Sequence, residues 1–136
     1  MAETVRFGVA MDADLLARFD EWVAARGQAT NRSEAVRDLV RDVLATEITE
    51  DPDAPVVGTV TMVFNHHTSD LSERLDALQH DHFREIYTKL HVHLTAHDCL
   101  EVVILRGRSR DVRALADKLL GTKGVKHGKL VITTTG

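Results

Sequence analysis

Residues 86–106 read Ile86-Tyr87-Thr88-Lys89-Leu90-His91-Val92-His93-Leu94-Thr95-Ala96-His97-Asp98-Cys99-Leu100-Glu101-Val102-Val103-Ile104-Leu105-Arg106. Two runs rich in apolar and β-branched residues, 86–95 and 100–106, flank the polar turn Ala96-His97-Asp98, which predicts a hairpin. Upstream, a helix is expected from about Ser69, with Leu71, Leu75, Leu78 and Phe83 as its apolar stripe. Downstream, residues 111–120 put Val112, Leu115, Ala116, Leu119 and Leu120 on one helical face. The run Val56-Val57-Gly58-Thr59-Val60-Thr61-Met62-Val63-Phe64 opens this region as a strand, and residues 125–134 close it as another. The resulting order, βαββαβ, is that of a ferredoxin-like sandwich.

A seam precedes that region. Glu47-Ile48-Thr49-Glu50-Asp51-Pro52-Asp53-Ala54-Pro55 holds both prolines of the chain and an acidic cluster, so two domains are expected: 1–48 and 56–136, joined by a linker at 49–55. In the first, residues 5–10 read as a short strand. Asp12 can then N-cap a helix bearing Leu15, Leu16, Phe19, Trp22 and Val23, which Gly27 ends. Asn31 with Glu34 three residues later resembles a capping box, and Val36, Leu39, Val40, Val43 and Leu44 follow at helical spacing. Domains below about 60 residues are marginal, so this strand, helix, helix unit should dimerise. The fold class is α+β.

Composition narrows the function. Of 136 residues 43% are hydrophobic, enough for real cores, while 28% are charged and no apolar run approaches membrane-spanning length. The start Met1-Ala2-Glu3-Thr4-Val5-Arg6 lacks the basic-then-apolar pattern of a secretory signal, which makes a cytoplasmic location the expectation. A single cysteine excludes an intrachain disulfide framework. The net charge of -4 argues against a nonspecific nucleic-acid coat protein. That charge is uneven: 1–48 carries 6 basic and 9 acidic groups, 49–55 carries 3 acidic, and 56–136 carries 11 basic and 9 acidic.

Seven of the eight histidines fall between positions 66 and 97. On a strand, residues two apart share a face, so His91 and His93 present adjacent imidazoles while Leu90, Val92 and Leu94 face the other way. Cys99, across the turn, can add a thiolate, and a third nitrogen can come from His80 or His82. Imidazoles with one thiolate suit Zn, Cu or Ni. A structural zinc site usually shows at least two closely spaced cysteines, which favours a regulatory transition-metal site here. His66, His67, His97 and His127 read as solvated loop or turn residues. The chain lacks His-Glu-x-x-His, a P-loop, a dinucleotide fingerprint and a nucleophile elbow, so an enzyme is not expected.

The N-terminal unit has the layout of ribbon-helix-helix DNA binders, in which two strands pair into a ribbon that enters the major groove. Alternation puts Arg6, Gly8 and Ala10 on the outer face and Val5, Phe7, Val9 and Met11 in the core. Arg6 can contact guanine O6 and N7, and the amides near Asn31, Arg32 and Ser33 can hold a phosphate with Arg32 and Arg37 nearby.

The whole chain resembles the nickel-responsive ribbon-helix-helix repressor family, NikR. The resemblance is carried by Asn31-Arg32-Ser33-Glu34-Ala35-Val36-Arg37-Asp38, Gln79-His80, Leu90-His91-Val92-His93, Asp98-Cys99-Leu100-Glu101 and Gly124-Val125-Lys126-His127-Gly128. It implies a homotetramer with a core of four ACT-type regulatory domains flanked by two dimeric heads that bind a double-stranded palindromic operator. It also implies one square-planar Ni(II) per chain, on His91, His93 and Cys99 of one subunit and His80 of another, with Glu101 orienting the ligand histidines. A second cation is implied at Glu34 and Asp38. Two departures stand out. The family's ribbon resembles Arg-x-Thr-x-Thr or Arg-x-Ser-x-Ser, whereas this one is Arg6-Phe7-Gly8-Val9-Ala10, without the two hydroxyl donors. Where several members carry basic residues after the first core strand, this chain has Asn65-His66-His67-Thr68-Ser69. The rivals to a nickel-dependent repressor are a nickel storage or delivery protein and a metal-independent ribbon-helix-helix DNA binder.

Overall fold

The computed structural model describes residues 2–26, 31–68 and 70–135. The chain divides into two compact units, Met1–Asp42 and Val43–Gly136.

In the first unit, residues 2–12 have no regular secondary structure, in contrast to the strand expected at 5–10. A strand needs a hydrogen-bonded neighbour, and the neighbour expected for this one belongs to a second copy. Helix α1, Ala13–Ala25, starts where Asp12 caps it: the Asp12 carboxylate accepts from the Leu15 amide at 2.8 Å. Gly27, expected to end α1, lies outside the described residues. Helix α2, Arg32–Glu50, is capped by Asn31, whose Oδ1 accepts from the Glu34 amide at 2.9 Å. Only half of the capping box forms, because the Glu34 carboxylate pairs forward with Arg37 and Arg41. The helix runs through Thr49 and Glu50, the first two residues of the expected linker, before a turn over 51–54.

In the second unit the elements follow the expected βαββαβ order: β1 Pro55–Asn65, α3 Leu71–Asp81, β2 Ile86–His93, β3 Asp98–Arg108, α4 Ser109–Leu120 and β4 Val125–Thr133. The strands form one antiparallel sheet in the order β2-β3-β1-β4. Alternation buries Val56, Val60, Met62 and Phe64 of β1 and Cys99, Val103 and Leu105 of β3 on one face. Leu71 and Leu75 of α3 and Val112, Leu115, Ala116 and Leu119 of α4 complete the same core. Gly128 permits this closure, since a Cβ there would meet the Leu120 side chain at 2.3 Å. The Ser109 hydroxyl donates to the Thr49 carbonyl at 2.6 Å, tying the start of α4 to the end of α2. One member of the expected α3 stripe fails: the helix ends at Asp81, and Phe83 is exposed.

Candidate metal centre

Strand register builds the site. Opposite His93 on β2 stands Cys99 on β3, and opposite His91 stands Glu101. Because side chains alternate, all four lie on the face that carries Val103 and Leu105. Phe64 of β1 pairs with Cys99 from the other side, and two residues later the chain reaches His66, whose amide donates to the His97 carbonyl at 3.0 Å. His66 Nδ1 then lies 3.1 Å from Cys99 Sγ, and His93 Nδ1 lies 3.4 Å from the same sulfur. The ligand atoms of His66, His93 and Cys99 all fall within 4.8 Å of one another.

Beside this trio the buried Glu101 carboxylate accepts from Gln79 Nε2 at 2.5 Å, and its other oxygen lies 3.1 Å from His91 Nδ1. One turn of α3 is thereby tied to the ring of His91. His80, next to Gln79 on α3, is exposed and is not among the donors gathered at Cys99 in its own chain. His82, the other nitrogen considered from the sequence, ends α3 as its C-cap.

Sequence reasoning missed His66. It was expected to be a solvated loop residue, yet it is half-buried against the thiol. The signal was present, because extending the β1 alternation from Phe64 by two residues puts position 66 on the same face. His67 and His97 sit near the hairpin turn, their ring centroids 5.3 Å apart, with His67 Nε2 at 3.2 Å from the Ala96 carbonyl.

Electrostatics suit a metal. Burial pushes the Cys99 thiol up, and the charges of Asp98 and Glu101 add to the effect. Desolvation, then the neighbouring His67, His93, His97 and His91, hold His66 below the usual histidine range and keep it a neutral ligand. A thiol beside imidazole nitrogens exchanges its proton for a divalent cation, so the donor set fits Ni, Cu or Zn.

The first unit holds the other candidates. Arg6, Gly8 and Ala10 are exposed in the irregular N-terminal segment, and Ser33 is exposed in the first turn of α2. Arg32 makes a two-pronged pair with Asp20, Nε to Oδ1 and Nη2 to Oδ2 both at 2.8 Å. Arg37 pairs with Glu34. Arg41 bridges the two carboxylates considered for a second cation, reaching Glu34 at 3.4 Å and Asp38 at 2.9 Å.

Comparison with known proteins decides the family. Residues 57–133 match the model of the NikR C terminal nickel binding domain, and residues 5–47 match that of the ribbon-helix-helix protein, copG family. A nickel-responsive regulator from Geobacter sp. (strain M21) is 56% identical over 136 residues, which is 100% of this chain and 97% of that protein. Similarly named regulators from Geobacter metallireducens and Nitratidesulfovibrio vulgaris (strain DSM 19637 / Miyazaki F) are 55% and 54% identical over the same span. The chain belongs to the NikR family. NikR proteins are regulators, not enzymes, and this one is an α+β chain with a ribbon-helix-helix domain at its N-terminus. The nickel-binding match spans every donor described above, from His66 to Glu101. As a NikR protein, the chain is a nickel-responsive DNA-binding regulator. No helix among the described residues is long and apolar enough to cross a membrane.

Proposed function

We propose that this protein is a Ni(II)-dependent repressor that binds a palindromic operator and controls nickel uptake genes. One Ni(II) per chain is held by His91, His93 and Cys99 with His80 of the partner subunit, in a homotetramer of two ribbon-helix-helix dimers. The observation that carries this reading is the buried Cys99 thiol, flanked across the β2–β3 register by His93 and, two pairs further along on the same face, His91. Exposure of His80 supports its service to another chain. Glu101, anchored by Gln79, orients His91. Through His80, α3 would be held to the metal site of the partner subunit when nickel is bound, which would bias the heads toward spacing two half-sites.

In the heads, Arg6 reads a guanine, Gly8 allows close backbone approach and Ala10 packs on a thymine methyl. Arg32, Ser33 and Arg37 hold phosphates at the start of α2, with Arg32 exchanging Asp20 for the DNA backbone. A second cation at Glu34 and Asp38 takes the place that Arg41 fills in the single chain.

The test is an anisotropy titration against DNA from upstream of the protein's own gene, with and without Ni(II). A coupling of about 1–3 kcal/mol predicts roughly 5- to 150-fold tighter binding with nickel. Ni(II) titration should give a thiolate charge-transfer band that saturates at one ion per chain and weakens as pH falls, because the raised Cys99 thiol must release its proton. Retention of that band by Cys99→Ala would refute the assignment. Nickel binding without DNA binding would favour storage or delivery, and DNA binding indifferent to nickel would favour a metal-independent module.

A further inference from the structure

The second unit carries six arginines, and four of them are engaged. Arg74 pairs with Asp70, Arg108 with Asp111 and Arg110 with Asp53, while Arg113 donates to the Ser109 hydroxyl and the Thr49 carbonyl. Arg84 and Arg106 pair with no carboxylate among the described residues, and both line one cavity of about 370 Å³. The fold brings them together. The Arg106 amide, near the end of β3, donates to the Glu85 carbonyl at 2.7 Å, which holds the turn carrying Arg84 against that strand. Each guanidinium rests by an aromatic ring, Arg106 at 4.7 Å from the centroid of Tyr87 and Arg84 at 5.9 Å from that of Phe83, so both are steadied without their charge being neutralised. Pro55, Val56 and Val57, the first residues of β1, supply the apolar part of the lining. Register puts Pro55 opposite Arg108 at this end of the sheet and Asn65 opposite Asp98 at the other, so the cavity and the metal face lie at opposite ends.

We propose that Arg84 and Arg106 bind the carboxylate of a small organic acid whose apolar body lies against Pro55 and Val57. A guanidinium is a planar fork of N–H donors that matches a carboxylate, and it stays charged at any physiological pH. The cavity falls within the range of small-molecule sites, roughly 300–1,000 Å³. Inorganic phosphate would satisfy the two cations but leave the proline and valine surface wet. An organic acid covers that surface, each methylene it buries adding roughly fourfold in affinity. A DNA phosphate would use the charge and not the concavity. The site draws on none of the metal donors, so it stands apart from the nickel reading.

The experiment titrates the metal-free full-length protein at constant ionic strength with isovalerate, acetate and inorganic phosphate, following the arginine Nε–H resonances by NMR. Isovalerate should move the two signals that disappear in Arg84→Gln and Arg106→Gln, and should bind at least about fivefold more tightly than acetate or phosphate. Each of those variants should weaken isovalerate binding at least about tenfold, the loss expected for a hydrogen bond between charged groups. Arg110→Gln, which removes an arginine that pairs with Asp53 outside the lining, should leave it unchanged. A nickel titration endpoint equal to wild type certifies that the variants are folded. Isovalerate affinity unchanged in both cavity variants, or acetate and phosphate binding as tightly as isovalerate, would overturn the proposal. So would operator affinity that falls in both variants while isovalerate moves no arginine signal in wild type, which assigns the pair to DNA phosphates. None of these outcomes touches the Cys99→Ala test, so the repressor reading fails or survives separately.

Discussion

The two units handle the same problem in opposite ways. The second buries thirteen residues in one cluster, with two helices laid over one face of a four-stranded sheet. Among its described residues the first buries only Val23 and Ala35, and Val5, Phe7 and Val9 stand 77%, 76% and 63% exposed. Both are patterned for burial, yet only the second can satisfy its pattern alone. Its sheet nonetheless keeps one apolar face uncovered, with Leu90 60% and Val131 62% exposed on the side away from α3 and α4. The ribbon segment of the N-terminal unit is thus patterned for burial that a single chain does not supply, whereas the metal face belongs to a core that one chain completes.

Phe7→Asp should break this contrast most severely. If a second copy covers the exposed ring, the variant places one carboxylate from each chain in an apolar ribbon core, at several kcal/mol per buried charge. Operator affinity should fall at least about a hundredfold by anisotropy, while the nickel charge-transfer titration keeps its endpoint. DNA binding within a few-fold of wild type would mean that residues 5–11 are not the dimer core.

Leu115→Ala addresses the other side. Leu115 is fully buried between α4 and the sheet, and truncation of such a leucine costs about 2–5 kcal/mol. The unfolding free energy from a urea titration followed at the metal band should fall by that amount, with the midpoint lowered in proportion. A shift under about 1 kcal/mol would show that the core of the second unit is looser than its burial implies.

What the sequence revealed follows the range of the interactions. Asp12 and Asn31 were legible as caps because each bonds an amide three residues on. The pairing of His93 with Cys99 was legible because the short turn between the two strands sets the register. Phe83 was misread because helical spacing continues on paper past the point where His82, at φ -114° and ψ 32°, leaves the helix. His66 was missed because its partner lies 33 positions away and the strand was read as stopping at Phe64. The strand expected at 5–10 does not form in the single chain, and no local rule reports whether a strand finds its hydrogen-bonded neighbour.

The smallest effect is expected at Asp20, and it separates stability from binding within the first unit. The hydrogen bond from Arg32 holds the Asp20 carboxyl below the usual carboxylate range, against an opposing desolvation effect and with the Arg32 charge adding. A folded value below the unfolded one stabilises the fold above the unfolded value and loses that stabilisation as pH falls through the folded one. Asp20→Asn should therefore lower thermal stability slightly at pH 7, and the gap to wild type should close as pH drops below about 4. Both side chains are largely solvated, 43% and 61% exposed, so added salt should shrink the gap too. Operator binding should move the other way. An arginine released from Asp20 meets a phosphate without first breaking a two-pronged pair, so the variant should bind DNA slightly more tightly while being slightly less stable. If stability and affinity fall together, the Asp20 pair positions Arg32 for DNA and does not compete with it.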